Sequence, residues 1–179
     1  MIFTETPLSG LWVVEPERLC DERGFFARTF CAREFAEQGL ATRFVQCSVS
    51  WNAKKGTLRG MHFQKPPHEE AKLVRCTWGA IFDVAVDIRK DSATYGAWFG
   101  TELSAENRRA LYVPRGFSHG FQVLSDGAEV FYQISEFFAP GFGAGHHHAD
   151  PVVGIQWPLP VTVISEKDQN LPLLSDMER

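Results

Sequence analysis

Ile81-Phe82-Asp83-Val84-Ala85-Val86-Asp87-Ile88 is the stretch on which the fold turns. Phe82, Val84, Val86 and Ile88 fall on one face and Asp83, Ala85 and Asp87 on the other, the alternation of a β-strand. Apolar runs of the same kind recur at 57–64, 72–77, 109–113, 119–124 and 129–136, punctuated by Gly, Pro, Asp and Asn. That spacing predicts an all-β protein, a jelly-roll sandwich or barrel closed enough to hold a ligand between its sheets. One helix is expected over 32–38, stopped by Gly39, and a second helical turn at Ser104-Ala105-Glu106. The last residues, 175–179, are expected to be loose.

Composition narrows the class further. The chain has 179 residues, 44% of them hydrophobic, with 15 Phe and 5 Trp, which suits one globular domain over 1–179 and excludes intrinsic disorder. No apolar run is long enough to span a membrane. A net charge of -4 offers a nucleic-acid backbone no general attraction. The start, Met1-Ile2-Phe3-Thr4-Glu5-Thr6, lacks the pattern of a secretion signal, so a cytoplasmic protein is expected. Cys20, Cys31, Cys47 and Cys76 form no CxxC pair and are expected to be free, buried thiols.

Four polar side chains sit where alternation points them toward the interior. His62 is read on a face with Leu58, Gly60 and Gln64; Lys72 with Val74 and Cys76; Tyr132 between Val130 and Ile134; His119 with Phe121 and Val123. Each alone has an ordinary reading as a satisfied core histidine, a snorkelling lysine or a packed tyrosine. Together, from four strands of one small barrel, they make an acid/base cavity, because buried polar groups are unfavourable without partners. Metal binding is the rival. Neither His62 nor His119 has a second ligand two residues on, and the run His146-His147-His148 reads better as a polar loop than as a chelating set. No GxSxG, GxGxxG or Walker motif occurs.

Longer motifs carry a resemblance. Asp21-Glu22-Arg23-Gly24-Phe25-Phe26, Gly56-Thr57-Leu58-Arg59-Gly60-Met61-His62-Phe63-Gln64, Lys72-Leu73-Val74-Arg75-Cys76 and Pro114-Arg115-Gly116-Phe117-Ser118-His119-Gly120-Phe121 resemble the dTDP-4-dehydrorhamnose 3,5-epimerases, as does Ser165-Glu166-Lys167-Asp168. The resemblance implies a cupin-like jelly roll, a homodimer with no metal and no cofactor, and inversion of C3 and C5 of a nucleotide-linked 4-keto-6-deoxy sugar. It designates His62 as base, Asp168 as its carboxylate partner, Lys72 at the enolate oxygen and Tyr132 as acid. It makes His119 a sugar contact and gives Arg23 and Arg59 the diphosphate. Phe26, Gln46, Ser48, Phe138 and Lys167 complete the substrate-binding set. An N-terminal arm over about 1–30, lending Arg23 and Phe26 to a partner's site, is the expected form of the dimer. Arg28, Ser48, Phe138 and Gly143 depart from the family pattern, all on the nucleotide side. An epimerase of a single centre, or of another nucleotide sugar such as a GDP sugar, therefore stands beside the main reading. A carbohydrate-binding barrel without catalysis is the third.

Overall fold

The alternating runs fold as strands because each has an apolar partner for at least one face. The computed structural model describes residues 1–178. Its strands are β1 (Ile2–Glu5), β2 (Trp12–Glu15), β3 (Arg18–Asp21), β4 (Gly24–Ala27), β5 (Gln46–Asn52), β6 (Leu58–Gln64) and β7 (Lys72–Trp78). β8 (Ala80–Asp87), β9 (Trp98–Ser104), β10 (Ala110–Val113), β11 (Phe117–Val123), β12 (Ala128–Ile134) and β13 (Gly143–Gly145) follow, with helices α1 (Ala32–Glu37) and α2 (Glu166–Gln169). A six-stranded sheet runs β1-β2-β10-β7-β12-β5, a five-stranded sheet β13-β6-β11-β8-β9, and β3-β4 form a separate hairpin. Val13, Val74, Leu111 and Val130 of the first sheet meet Ile81, Ala85, Leu103 and Phe121 of the second in one buried core. At ~1.5–3 kcal/mol for each large side chain buried, this layer is the main source of the sandwich's stability. It is the jelly-roll arrangement the alternation predicts.

Both outer faces are partly covered. Against the six-stranded sheet, Phe35 of α1 is fully buried and makes edge-to-face contacts with Phe3, Phe30, Phe44 and Tyr112. Against the five-stranded sheet, Val153, Ile155 and Leu174 of the C-terminal segment pack on Met61, Val84 and Val86. β8 is therefore buried on both faces, and Asp83 and Asp87 are fully enclosed rather than facing water.

Several expectations need correction. The Ser104 segment is no helix: it is the end of β9 and a turn, closed by Asn107 N–H donating to Ser104 Oγ and Ser104 N–H to Asn107 Oδ1. The tail over 174–178 is a 3-10 turn anchored by buried Leu174, and Arg179, the last residue of the expected loose end, lies outside the described residues. The cysteines are free, but Cys20 and Cys47 are exposed and only Cys76 is buried. His62 does not share a face with Leu58. Between the pairs His119↔His62 and Phe121↔Arg59, β6 carries one residue more than β11. This bulge reverses the alternation, so Arg59 and His62 point the same way although three residues apart. Gly60 supplies the necessary backbone at φ 125°, a conformation open to glycine.

Candidate active site

Because the sheets part at one end, the inward residues of β5, β6, β7, β11 and β12 line a pocket of about 550 Å³. His62, Arg59 and His119 come from the five-stranded wall, and Lys72, Tyr132, Gln46 and Ser48 from the six-stranded wall. Phe138 and Gly143 line its side, and Ser165, Lys167 and Asp168 close it from the C-terminal segment.

His62 and Asp168 form its centre. The two are joined by a hydrogen bond of 2.7 Å between Nε2 and Oδ1, and Gly60 N–H donates to the other carboxylate oxygen at 3.2 Å. Asp168 is 4% exposed, held there because Ser165 caps α2 by accepting the Asp168 N–H at 3.1 Å. With Nε2–H donating to Asp168, Nδ1 is left as the basic nitrogen. Burial holds the His62 pKa below its ordinary 6.5; Asp168 opposes that, while Lys72 and Lys167 reinforce it. The imidazole is thus neutral near pH 7, the form a base requires.

Lys72 Nζ lies 3.0 Å from Glu70 Oε1, and both side chains are largely buried. One ammonium proton is occupied by Glu70, leaving others for the pocket. Tyr132 stands opposite the histidines, its ring 6.1 Å from that of His119 in an edge-to-face contact. Burial, and then the charge of Asp83, hold its phenol well above the ordinary tyrosine value, so it is a donor and never a competing base. His119 in turn pairs with Asp83, Nε2 to Oδ1 at 2.8 Å, both residues buried. Arg59 Nε donates to Asn52 Oδ1 at 2.6 Å, which fixes the guanidinium at the pocket wall. Gln46 accepts the Phe138 N–H, tying β5 to the loop beyond β12.

The structure brings ten of the twelve expected residues to this pocket: His62, Lys72, Tyr132, Asp168, Arg59, His119, Gln46, Ser48, Phe138 and Lys167. Arg23 and Phe26 are elsewhere. Both project from the β3-β4 hairpin, Phe26 71% exposed and Arg23 paired with Asp21. Of the departures from the family pattern, Ser48, Phe138 and Gly143 line the pocket, while Arg28 pairs with Glu34 at 3.0 Å. The sequence reading missed Asp83, Glu70 and Asn52. Asp83 had a signal, since it alternates with Ala85 on an inward face; Glu70 and Asn52 had none. The run 146–148 is a loop just beyond β13, as expected, but it does not all face solvent: His146 is fully buried. Among the described residues no group of His, Cys, Asp and Glu is arranged to hold a metal ion.

Comparison with known proteins agrees with this geometry. The family model described as dTDP-4-dehydrorhamnose 3,5-epimerase matches residues 5–176. A protein of that name from Methanothermobacter thermautotrophicus is 48% identical over 171 residues, 94% of this chain and 91% of its own length. The crystal structure of a dTDP-4-dehydrorhamnose 3,5-epimerase from Elizabethkingia anophelis superposes with TM-score 0.96 at 42% identity, covering 100% of this chain and 99% of that one. A dTDP-6-deoxy-D-glucose-3,5-epimerase from Legionella pneumophila, solved with dTDP-4-keto-L-rhamnose, gives TM-score 0.91 at 41% identity over 97% of this chain and 93% of its own.

Proposed function

Since this chain belongs to the dTDP-4-dehydrorhamnose 3,5-epimerase family, we propose that it inverts C3 and C5 of dTDP-4-dehydro-6-deoxy-D-glucose, giving dTDP-4-dehydro-L-rhamnose. The observation that carries the reading is the neutral His62, backed by buried Asp168 and facing Tyr132 across the pocket between the sheets.

Inversion beside a ketone needs three things: a base on one ring face, a positive group at the developing oxyanion, and a proton donor on the other face. His62 Nδ1 takes the hydrogen from C5 or C3, and the C–H electron pair moves onto the carbonyl oxygen as an enolate. Asp168 stabilises the resulting imidazolium. Lys72 donates to the enolate oxygen, its side chain placed by Glu70. Tyr132 returns a proton to the carbon from the far side, and exchange with solvent resets both groups. One base serves both centres because each flanks the same carbonyl. Arg59 holds the diphosphate with its forked donors, and the face of Phe138 stacks on the base.

Arg23 and Phe26 lie away from the pocket between their own sheets, and their part in the reaction is assigned to a second copy. Hairpin β3-β4 exposes Leu19, Phe25 and Phe26, and edge strand β5 exposes Val49 and Trp51. These surfaces support a homodimer in which each hairpin lends Arg23 and Phe26 to the neighbouring pocket. Among the described residues no helix is long and apolar enough to cross a membrane.

Turnover in deuterium oxide tests the reaction. Two deuterons, at C3 and C5, are expected in the product. One deuteron would mean a single-centre epimerase, and none would refute the proposal. Thermal-shift titration with dTDP, UDP and GDP assigns the nucleotide, the largest stabilisation being expected with dTDP.

A further inference from the structure

The reaction above leaves the first residue of the three-histidine run unused. His146 and Ser118 are both 0% exposed, and His146 Nε2 lies 2.7 Å from Ser118 Oγ. His146 Nδ1 is 3.3 Å from the His147 carbonyl, to which it donates. Nε2 is therefore the acceptor and the Ser118 hydroxyl the donor. Burial, which holds the His146 pKa low, agrees with this neutral tautomer.

What the bond joins gives it meaning. β6 lies between β11 and β13, and His62 is paired with His119 on one side and Gly145 on the other. Ser118 immediately precedes His119, and His146 immediately follows Gly145. Just beyond Gly145, His146 and Met61 exchange both backbone hydrogen bonds, at 3.1 and 3.3 Å. The Ser118–His146 bond thus crosses β6 at His62, next to the bulge, and ties together the two strands that flank it.

The bulge is built from closely packed glycine backbone. Gly60, Gly120 and Gly145 meet there, backbone against backbone: a Cβ on Gly120 would lie 2.7 Å from Arg59 O and one on Gly60 2.6 Å from the Gly120 Cα. Asp168 holds the Gly60 N–H and Met61 packs against Gly120, and the Ser118–His146 bond is a further tie on a register whose loss would turn His62 to the other face.

We infer that the buried Ser118–His146 hydrogen bond clamps the bulge of β6 and so positions His62 in the pocket. The inference rests on the reading of His62 as the base. Ser118 and His146 are positioning residues; both are buried and neither is among the residues that line the pocket.

Three variants test it. Ser118→Ala and His146→Leu remove the bond, whereas His146→Gln keeps an acceptor oxygen near the Nε2 position. Ser118→Ala and His146→Leu should each lower kcat for deuterium wash-in about tenfold or more, with KM and dTDP affinity within twofold of wild type. His146→Gln should recover most of that loss, and the double variant should fall no further than the worse single one. A folded Ser118→Ala protein with wild-type kcat, or a loss confined to KM, would overturn the inference. Hydrogen exchange gives an arm independent of the reaction. In Ser118→Ala the Met61 amide should exchange about tenfold faster while the Val84 amide is unchanged, and an unchanged Met61 would refute the clamp. If His146→Leu does not fold, Ser118→Ala, which deletes one oxygen atom, decides alone. Absence of wash-in by the wild-type protein would refute the proposed reaction, and the exchange arm would still decide the clamp.

Discussion

Two histidines of the same pocket are each paired with a carboxylate, the bonds nearly identical in length and opposite in setting. His62–Asp168 spans 2.7 Å with the imidazole side chain 41% exposed; His119–Asp83 spans 2.8 Å with the side chains 5% and 0% exposed. Asp168 uses its second oxygen to accept the Gly60 N–H, whereas Oδ2 of Asp83 has no hydrogen-bond partner among the described residues. A short hydrogen bond alone does not make a base. What distinguishes His62 is a second nitrogen open to a ligand and a carboxylate fully satisfied by the fold. The inner pair is enclosed, and in the proposed reaction it is a contact rather than a second base.

That contrast can be broken by substitution. His62→Ala should reduce turnover by about 10³–10⁴-fold, at the upper range of general-base contributions, while dTDP affinity measured by calorimetry stays within threefold. Asp168→Asn keeps the shape but removes the stabilising charge, and a loss of about 10²-fold in kcat is expected from steady-state assays. Asp83→Asn, at the inner pair, should lower kcat/KM by only about tenfold. If it equalled Asp168→Asn, the two pairs would share one role.

The pH dependence sharpens the same comparison by a smaller effect. Because burial depresses the His62 pKa, its neutral form persists below pH 6.5, and the acid limb of kcat/KM should have its midpoint beneath that value. Asp168 raises this pKa, so the residual activity of Asp168→Asn should have its limb lower still. Stability follows the same sign. The unfolded histidine binds a proton at pH values where the folded one does not, so stability falls as pH drops from 6.5 through the folded value. Thermal melts across that window should show the decline, and it should be weaker in His62→Ala.

How much of this was legible in the sequence differs by element. Strand β8 is readable because its alternation is unbroken over eight residues. Tyr132 and Lys72 are readable for the same reason, as polar residues in regular strands whose neighbours are apolar. Strand β6 misleads, because a bulge adds one residue without changing any residue type, and Arg59 and His62 reach one pocket from positions of opposite parity. Asp168 stands 106 residues beyond His62, and only the motif that carries the family resemblance linked the two. Burial of both faces of β8 depends on a C-terminal segment whose path leaves no periodic trace. The hairpin that carries Arg23 and Phe26 is exposed, and the role proposed for it lies in a second copy, of which a single chain's sequence carries no periodic trace.

Chemical rescue tests the central claim most directly. Added imidazole should restore deuterium wash-in to His62→Gly in a saturable way, because the vacated space beside Asp168 accepts a free base, and should leave His119→Gly unimproved. A His62→Gly protein that binds dTDP normally yet gains nothing from imidazole, or equal rescue at His119, would contradict the assignment of His62 as the base.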